Sequence, residues 1–198
     1  MFVTFEGLDG SGKTTQAELL AEALRGEGRE VVATREPGGT PLGEQVRQIL
    51  LDGHAIVPWA EAALFAAARA ELAETVIVPA LQSGKDVVCD RYIDSSLAYQ
   101  GIARDLGVDR VLELNLQATR GVLPDRTILV LVDPETARAR TRRSPDRIER
   151  ESDAFHVAVD EAYRALAAMF PNRIVTVDGT QPPVELAKEV RGRIRDLS

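Results

Sequence analysis

The densest chemistry in the chain lies in "EGLDGSGKTT", residues 6–15. Gly7, Leu8, Asp9, Gly10, Ser11, Gly12, Lys13 and Thr14 fit the pattern G-x-x-x-x-G-K-[ST], with Thr15 following. A glycine-rich loop of this kind turns backbone N–H groups onto a polyphosphate. The context is also right, because the loop leaves an apolar β-branched run and opens a segment with helical spacing. Lys13 would reach the β- and γ-phosphates, and the Thr14 hydroxyl would ligate Mg²⁺. A second metal-linked carboxylate belongs at the end of a neighbouring apolar strand, and "VVCDR" places Asp90 there. Two positions look wrong for this chemistry. Asp9 puts an acid inside an anion cradle, and Gly10 supplies no cation to offset it.

Three further stretches carry residues suited to binding a second phosphorylated molecule. "TREPGGT" (34–40) brings Arg35, Glu36 and Pro37 to a rigid turn. "ALFAAARAE" (63–71) spaces Phe65 and Arg69 at i and i+4, on one helix face. "DRYIDSSLAYQG" (90–101) holds Arg91, Ser95, Ser96, Tyr99 and Gln100. Taken singly, Phe65 reads as core, Arg69 as a solvated charge, Tyr99 as an anchored core residue and Pro-Gly-Gly as a plain turn. Taken together, they follow strands whose ends share one edge of a parallel sheet, where ligands bind. Residues 138–150 add Arg138, Arg140, Arg142, Arg143, Arg147 and Arg150, an arginine density far above the chain's average.

These residues need elements to position them. Five runs read as strands: 2–6, 30–35, 86–91, 127–133 and 173–178. They are mostly continuous and apolar, as expected of parallel strands buried on both faces. Helical spacing covers 13–25, a segment from Thr40-Pro41 onward, an alanine-rich stretch 59–82, a stripe from Phe155 to Phe170, and a last segment through Leu186, Val190 and Ile194. Strand and helix alternate, so a single α/β domain over 1–198, built from right-handed crossovers, is expected.

Composition narrows the classes. With 198 residues, 44% apolar and 28% charged, the chain has the balance of one soluble globule. A net charge of −7 argues against nucleic acid as a partner and requires any anion site to be locally basic. The single Cys89 leaves no intrachain disulfide to form. No uncharged run is long enough for a membrane span, and the first strand leaves no room for a signal peptide. A cytoplasmic protein is expected.

The ordered set "EGLDGSGKTT", "TREPGGT", Phe-x-x-x-Arg, "DRY…S…AYQG" and "DRIERES" (146–152) resembles bacterial thymidylate kinase over essentially the whole chain. The resemblance implies a three-layer P-loop NTPase fold, with a five-stranded parallel sheet and a short mobile lid at about 138–150. It implies ATP and dTMP as substrates, dTDP as product, Mg²⁺ as cofactor and a homodimer, with Ala62, Ala63, Ala66, Ala70 and Ala73 allowing close helix approach. By the same resemblance Asp9 binds the 3′-hydroxyl of dTMP, and Arg35 and Arg91 face its phosphate. Phe65 stacks on thymine, Arg69 donates to O4, Ser96 or Gln100 lies near N3, and Tyr99 packs under the sugar. Members with glycine at the position of Gly10 place the catalytic arginine in the lid. Arg142 and Arg143 are the candidates, with Arg147 a second phosphate contact and Arg138 a hinge-side support. Two alternatives stay open: another nucleoside monophosphate or deoxynucleoside kinase of this fold, and a regulatory P-loop ATPase. The phosphate-facing arginines favour a monophosphate acceptor over a neutral nucleoside. A switch ATPase gives no reason for Asp9, Phe65, Arg69 and Tyr99 to converge.

Overall fold

Five strands, β1 (Phe2–Glu6), β2 (Val31–Arg35), β3 (Asp86–Asp90), β4 (Arg126–Leu131) and β5 (Ile174–Asp178), form one parallel sheet in the order β2-β3-β1-β4-β5. The structure is a computed structural model that describes residues 1–52, 54–141 and 145–197. Alternate residues of the central strands point to opposite faces, because a strand has a period of two. Phe2, Val87, Cys89 and Leu129 enter one core, and Val3, Phe5, Val88, Ile128 and Val130 enter the other. Hence these strands carry no polar alternation. β2 is an edge strand and is only partly covered.

The second core is closed by α1 (Lys13–Gly26) and the last long helix, α9 (Pro183–Arg193), through Ala17, Leu20, Leu24, Leu186 and Val190. The helices of the other face lie between them in sequence. α2 (Pro41–Asp52) begins as its sequence demands, with Thr40 accepting from the Gly43 N–H through its hydroxyl. α3 (Pro58–Leu72) runs through a π-helical turn, Ala73–Ile77, into α4 (Val78–Gln82). α5 (Ile93–Ser96) continues into a π-helical segment, Leu97–Ala103, and α6 (Val108–Thr119) packs against α3. α7 (Pro134–Arg140) precedes the expected lid tip, and α8 (Asp153–Met169) follows it.

The alanine-rich stretch differs from expectation. Ala62, Ala66 and Ala73 are buried inside the chain and only Ala63 of the five is exposed, so most of that small-residue stripe serves intrachain packing. No helix among the described residues is long and apolar enough to cross a membrane.

Register places the site. Phe5 pairs with Asp90, and Arg35 pairs with Asp90 from the other side, so the carboxyl ends of β1, β2 and β3 finish level. The phosphate loop leaves β1 at this edge. Gly7 sits there at φ +139°, where a Cβ would come within 2.4 Å of the Val130 carbonyl oxygen.

Candidate active site

Over the phosphate loop lies an open cavity of about 840 Å³, lined by residues 9–16 and by Arg35, Asp90, Arg91 and Arg140. Asp9 stands at its inner end. Its Oδ1 accepts from Lys13 Nζ at 2.9 Å and from Arg91 Nη2 at 2.8 Å. Lys13 Nζ also donates to the Leu8 carbonyl at 3.3 Å. Burial alone would raise the Asp9 pKa, but Arg91 and then Lys13 outweigh it and hold the carboxyl well below the usual range. The acid in the cradle is therefore neutralised from both sides, and two cations around one carboxylate leave a net positive charge where phosphates would lie.

Arg91 reaches Asp9 because its backbone turns. Directly after β3 it adopts φ +70°, unusual for a non-glycine residue, while its N–H still donates to the Phe5 carbonyl at 2.9 Å. Its guanidinium also donates to Ser95 Oγ at 3.0 Å and Tyr163 Oη at 3.1 Å. Behind these groups sits Glu6, the last residue of β1, which accepts from the Tyr92 N–H, Ser95 Oγ and Tyr163 Oη. Burial, reinforced by Asp94, raises the Glu6 pKa.

Thr14 Oγ1 donates to Asp90 Oδ2, so the two expected metal-site oxygens already meet. The other oxygen, Asp90 Oδ1, is buried and has no hydrogen-bond partner among the described residues. A carboxylate oxygen left unsatisfied beside a hydroxyl, both at a polyphosphate cradle, fits a hard divalent cation with oxygen ligands.

Next to the cradle is a narrow slot of about 80 Å³. Its walls include Pro37, Phe65, Ser95, Ser96, Tyr99 and Gln100, and Asp9, Glu36 and Arg91 line both spaces. The aromatic wall is braced edge-on, with Tyr99 against Tyr163 at 6.2 Å and against Phe155 at 6.1 Å between ring centroids. Arg91 lies over the Tyr99 ring. Arg35 is more exposed and paired with Glu44 at 2.9 Å.

Arg69 is not a solvated charge. It is fully buried behind the slot and not among the residues lining it. Its donors go to Glu36 Oε2, Ser96 Oγ, Asn115 Oδ1 and the Tyr92 carbonyl. Four hydrogen bonds leave this guanidinium, and its Nη2 also stands 2.5 Å from Glu36 Oε2 as an ion pair. Arg69 thus braces two slot residues, Glu36 and Ser96. Glu36, despite that partner, has its pKa pushed up to about 7 by burial.

A family model described as Thymidylate kinase matches residues 5–190. The chain belongs to the thymidylate kinase family. It is 52% identical over 198 residues to a thymidylate kinase of Leifsonia xyli, covering 98% of this chain and 94% of that protein. To a thymidylate kinase of Thermoanaerobacter sp. strain X514 it is 48% identical over 191 residues, with 96% and 94% covered. Among solved structures, the crystal structure of thymidylate kinase from Ehrlichia chaffeensis superposes with a TM-score of 0.82 at 34% identity, covering 98% of each chain.

In the segment expected as the lid of a thymidylate kinase, each described arginine has a protein partner. Arg147 does not reach the phosphate cradle. Its guanidinium donates to Glu61 Oε2 at 2.6 Å and to the Leu50 carbonyl at 2.7 Å, docking the lid segment on α2 and α3. Arg138 is exposed and paired with Asp153. Arg140 donates to the Gly179 carbonyl at 2.8 Å, and Arg150 to the Pro145 carbonyl at 3.3 Å. Arg142 and Arg143 lie outside the described residues.

Sequence reasoning overlooked Arg47, Glu6, Tyr163 and Glu61. Arg47 lines both spaces and donates to the Pro37 carbonyl at 2.9 Å. A signal existed, because Arg47 shares a helix face with Gly43 and Leu50, both buried. Glu6 carried one too, as the single charged residue of its strand.

Proposed function

We propose that this chain transfers the γ-phosphoryl group of ATP to dTMP, giving dTDP. The observation that carries this reading is the junction at Asp9 and Arg91, which belongs at once to the phosphate cradle and to the aromatic slot. A donor polyphosphate over residues 9–15 and a nucleoside monophosphate with its base against Phe65 would bring their phosphates together there. Phosphoryl transfer demands little covalent chemistry from a protein, so positioning and charge stabilisation supply most of the rate. Lys13 would exchange Asp9 for the β- and γ-phosphates. Arg91 and Arg35 would hold the acceptor phosphate, and Asp9 would accept from the 3′-hydroxyl of the acceptor sugar. Tyr99 would close the space where a 2′-hydroxyl would stand. Thr14 and Asp90 would hold Mg²⁺, which when bound neutralises charge on the transferring phosphate. Arg142 or Arg143 would supply the remaining cation.

We also propose a cytoplasmic homodimer that meets through the outer face of α3, where Ala63 and Ala67 are exposed and Trp59 is stacked by Arg110. Sedimentation velocity should give twice the monomer mass; a monomer at micromolar concentration would refute that part alone.

The activity is tested by ATP consumption with dTMP, dUMP, dCMP, AMP, thymidine or no acceptor. Turnover should be highest with dTMP. Losing the 5-methyl group should cost only ~1–3 kcal/mol. Equal ATP loss with and without acceptor would instead favour a regulatory ATPase.

A further inference from the structure

Glu61, in the first turn of α3, is fully buried and belongs to neither cavity lining. Its Oε2 accepts from Arg147 of the lid segment at 2.6 Å and from Arg104 at 3.5 Å. Its Oε1 accepts from Gln100 Nε2 at 2.9 Å and from Arg104 Nε at 3.4 Å. Arg104 donates in turn to Glu151, directly after the lid segment, at 2.6 Å and lies over the Phe155 ring. One carboxylate thus ties the lid segment to a residue of the acceptor slot.

The tie has a chemical consequence at Gln100. A side-chain amide can face either way, and its neighbours decide which end is which. A carboxylate only accepts, so Gln100 must turn its NH₂ group to Glu61. The amide atom left uncommitted is Oε1, an acceptor. A thymine ring offers an N3–H donor to such an acceptor, whereas cytosine has a bare N3 lone pair at the same position. Two acceptors would then face each other. The orientation of Gln100 thus gives the slot a polar discriminator between the two bases.

We propose that Glu61 is a positioning residue that sets base selectivity by holding the Gln100 amide with its oxygen toward the acceptor base. This rests on the proposed reaction and deepens it. Glu61→Gln is the discriminating variant, because the new amide can keep its oxygen on Arg147 and turn its NH₂ to Gln100. Gln100 then flips and presents a donor. The ratio of kcat/KM for dTMP to that for dCMP should fall at least ~10-fold in Glu61→Gln. In Glu61→Asp, which still only accepts, the ratio should stay near wild type even if both rates drop. Arg147→Met, which frees the lid segment but leaves Glu61 on Gln100, should lower kcat without moving the ratio. In a Gln100→Leu background, Glu61→Gln should not change the ratio further, as a double-mutant cycle requires of coupled residues.

A folded Glu61→Gln variant with unchanged selectivity overturns the inference, and a ratio that moves equally in Arg147→Met reduces Glu61 to a lid anchor. If Glu61→Gln does not fold, NMR of the wild-type protein labelled with ¹⁵N-glutamine decides the same point. Contacts from the Gln100 amide protons to Glu61 are expected, and contacts to the N3–H of bound dTMP would refute it. Wild-type protein that ignores dTMP would instead refute the proposed reaction before any variant is made.

Discussion

Asp9 is a carboxylate whose two cationic neighbours would both act on phosphate in the proposed reaction, so its replacement should separate the two substrates. Asp9→Asn keeps the shape but weakens the charge-assisted bond to a sugar hydroxyl, and dTMP affinity should drop by ~1–3 kcal/mol. ATP affinity should hold or improve, because Lys13 loses a competitor for its charge. Calorimetric titration of each nucleotide checks this, and a loss confined to ATP would make Asp9 a metal-shell group. Glu36 supports a second test at this scale. Its pKa is raised from 4.5 to about 7 in the folded protein. A carboxyl with a raised folded pKa contributes stability that is fully present below pH 4.5 and lost as pH rises through 7. The unfolding free energy of wild type minus that of Glu36→Gln should therefore fall by up to ~3 kcal/mol across that window. Denaturation at a series of pH values measures it, and a flat or rising difference would mean that Arg69 keeps the Glu36 pKa at or below its unfolded value. Residue placements were legible where side-chain type and spacing mark a site, as at Lys13, Thr14, Asp90 and Phe65, which all line the two cavities. They were not legible where a long side chain chooses among partners. Arg69 and Arg147 have the same charge as phosphate-binding arginines, but Glu36 and Glu61, distant in sequence, claim them.

The elements came through more faithfully than the contacts. All five strands stand where apolar runs end in glycine, proline or a charge, because a parallel strand covered on both faces leaves little room for another pattern. The alanine-rich helix reads as continuous, yet it is interrupted. Pro79 has no N–H to give and its ring would strike the carbonyl of residue 75, so the turn before it widens. The Val78 N–H reaches back five residues to the Ala73 carbonyl, which makes Ala73–Ile77 a π-turn. Gly10 shows how an element can depend on one absent side chain. It has φ +84°, and a Cβ there would lie 2.1 Å from the Ala137 carbonyl oxygen of α7 and 3.0 Å from Thr141 Oγ1. The helix that leads into the lid therefore seats directly on the phosphate loop. Gly10→Ala should cost ~1–3 kcal/mol in stability and, by pushing α7 outward, lower kcat more than 10-fold. A thermal melt and steady-state kinetics report both, and unchanged kcat would show that the seat of α7 has no part in turnover.

At the scale of the whole molecule, an acidic protein must concentrate positive charge where two substrates meet. The net charge is −7, while Lys13, Arg35, Arg47, Arg91 and Arg140 all line the cavity over the phosphate loop. Several of these are held by protein partners, and the described lid arginines are spoken for as well: Arg138 by Asp153, Arg140 by Gly179, Arg147 by Glu61 and Leu50, Arg150 by Pro145. Phosphoryl transfer spreads charge over three equatorial oxygens, and an arginine arriving only as that charge develops stabilises the transition state without tightening the ground state. Gly10 has no side chain to do this, and Lys13 is a single point charge. The expectation for Arg142 and Arg143 is accordingly kinetic. Alanine at one of them should lower kcat by ~10³-fold, about 4 kcal/mol, with KM for dTMP nearly unchanged. Single and double variants, assayed at saturating ATP and dTMP, identify which arginine acts. Near-normal kcat in the double variant would move the role to Arg91, whose guanidinium already stands between the cradle and the slot.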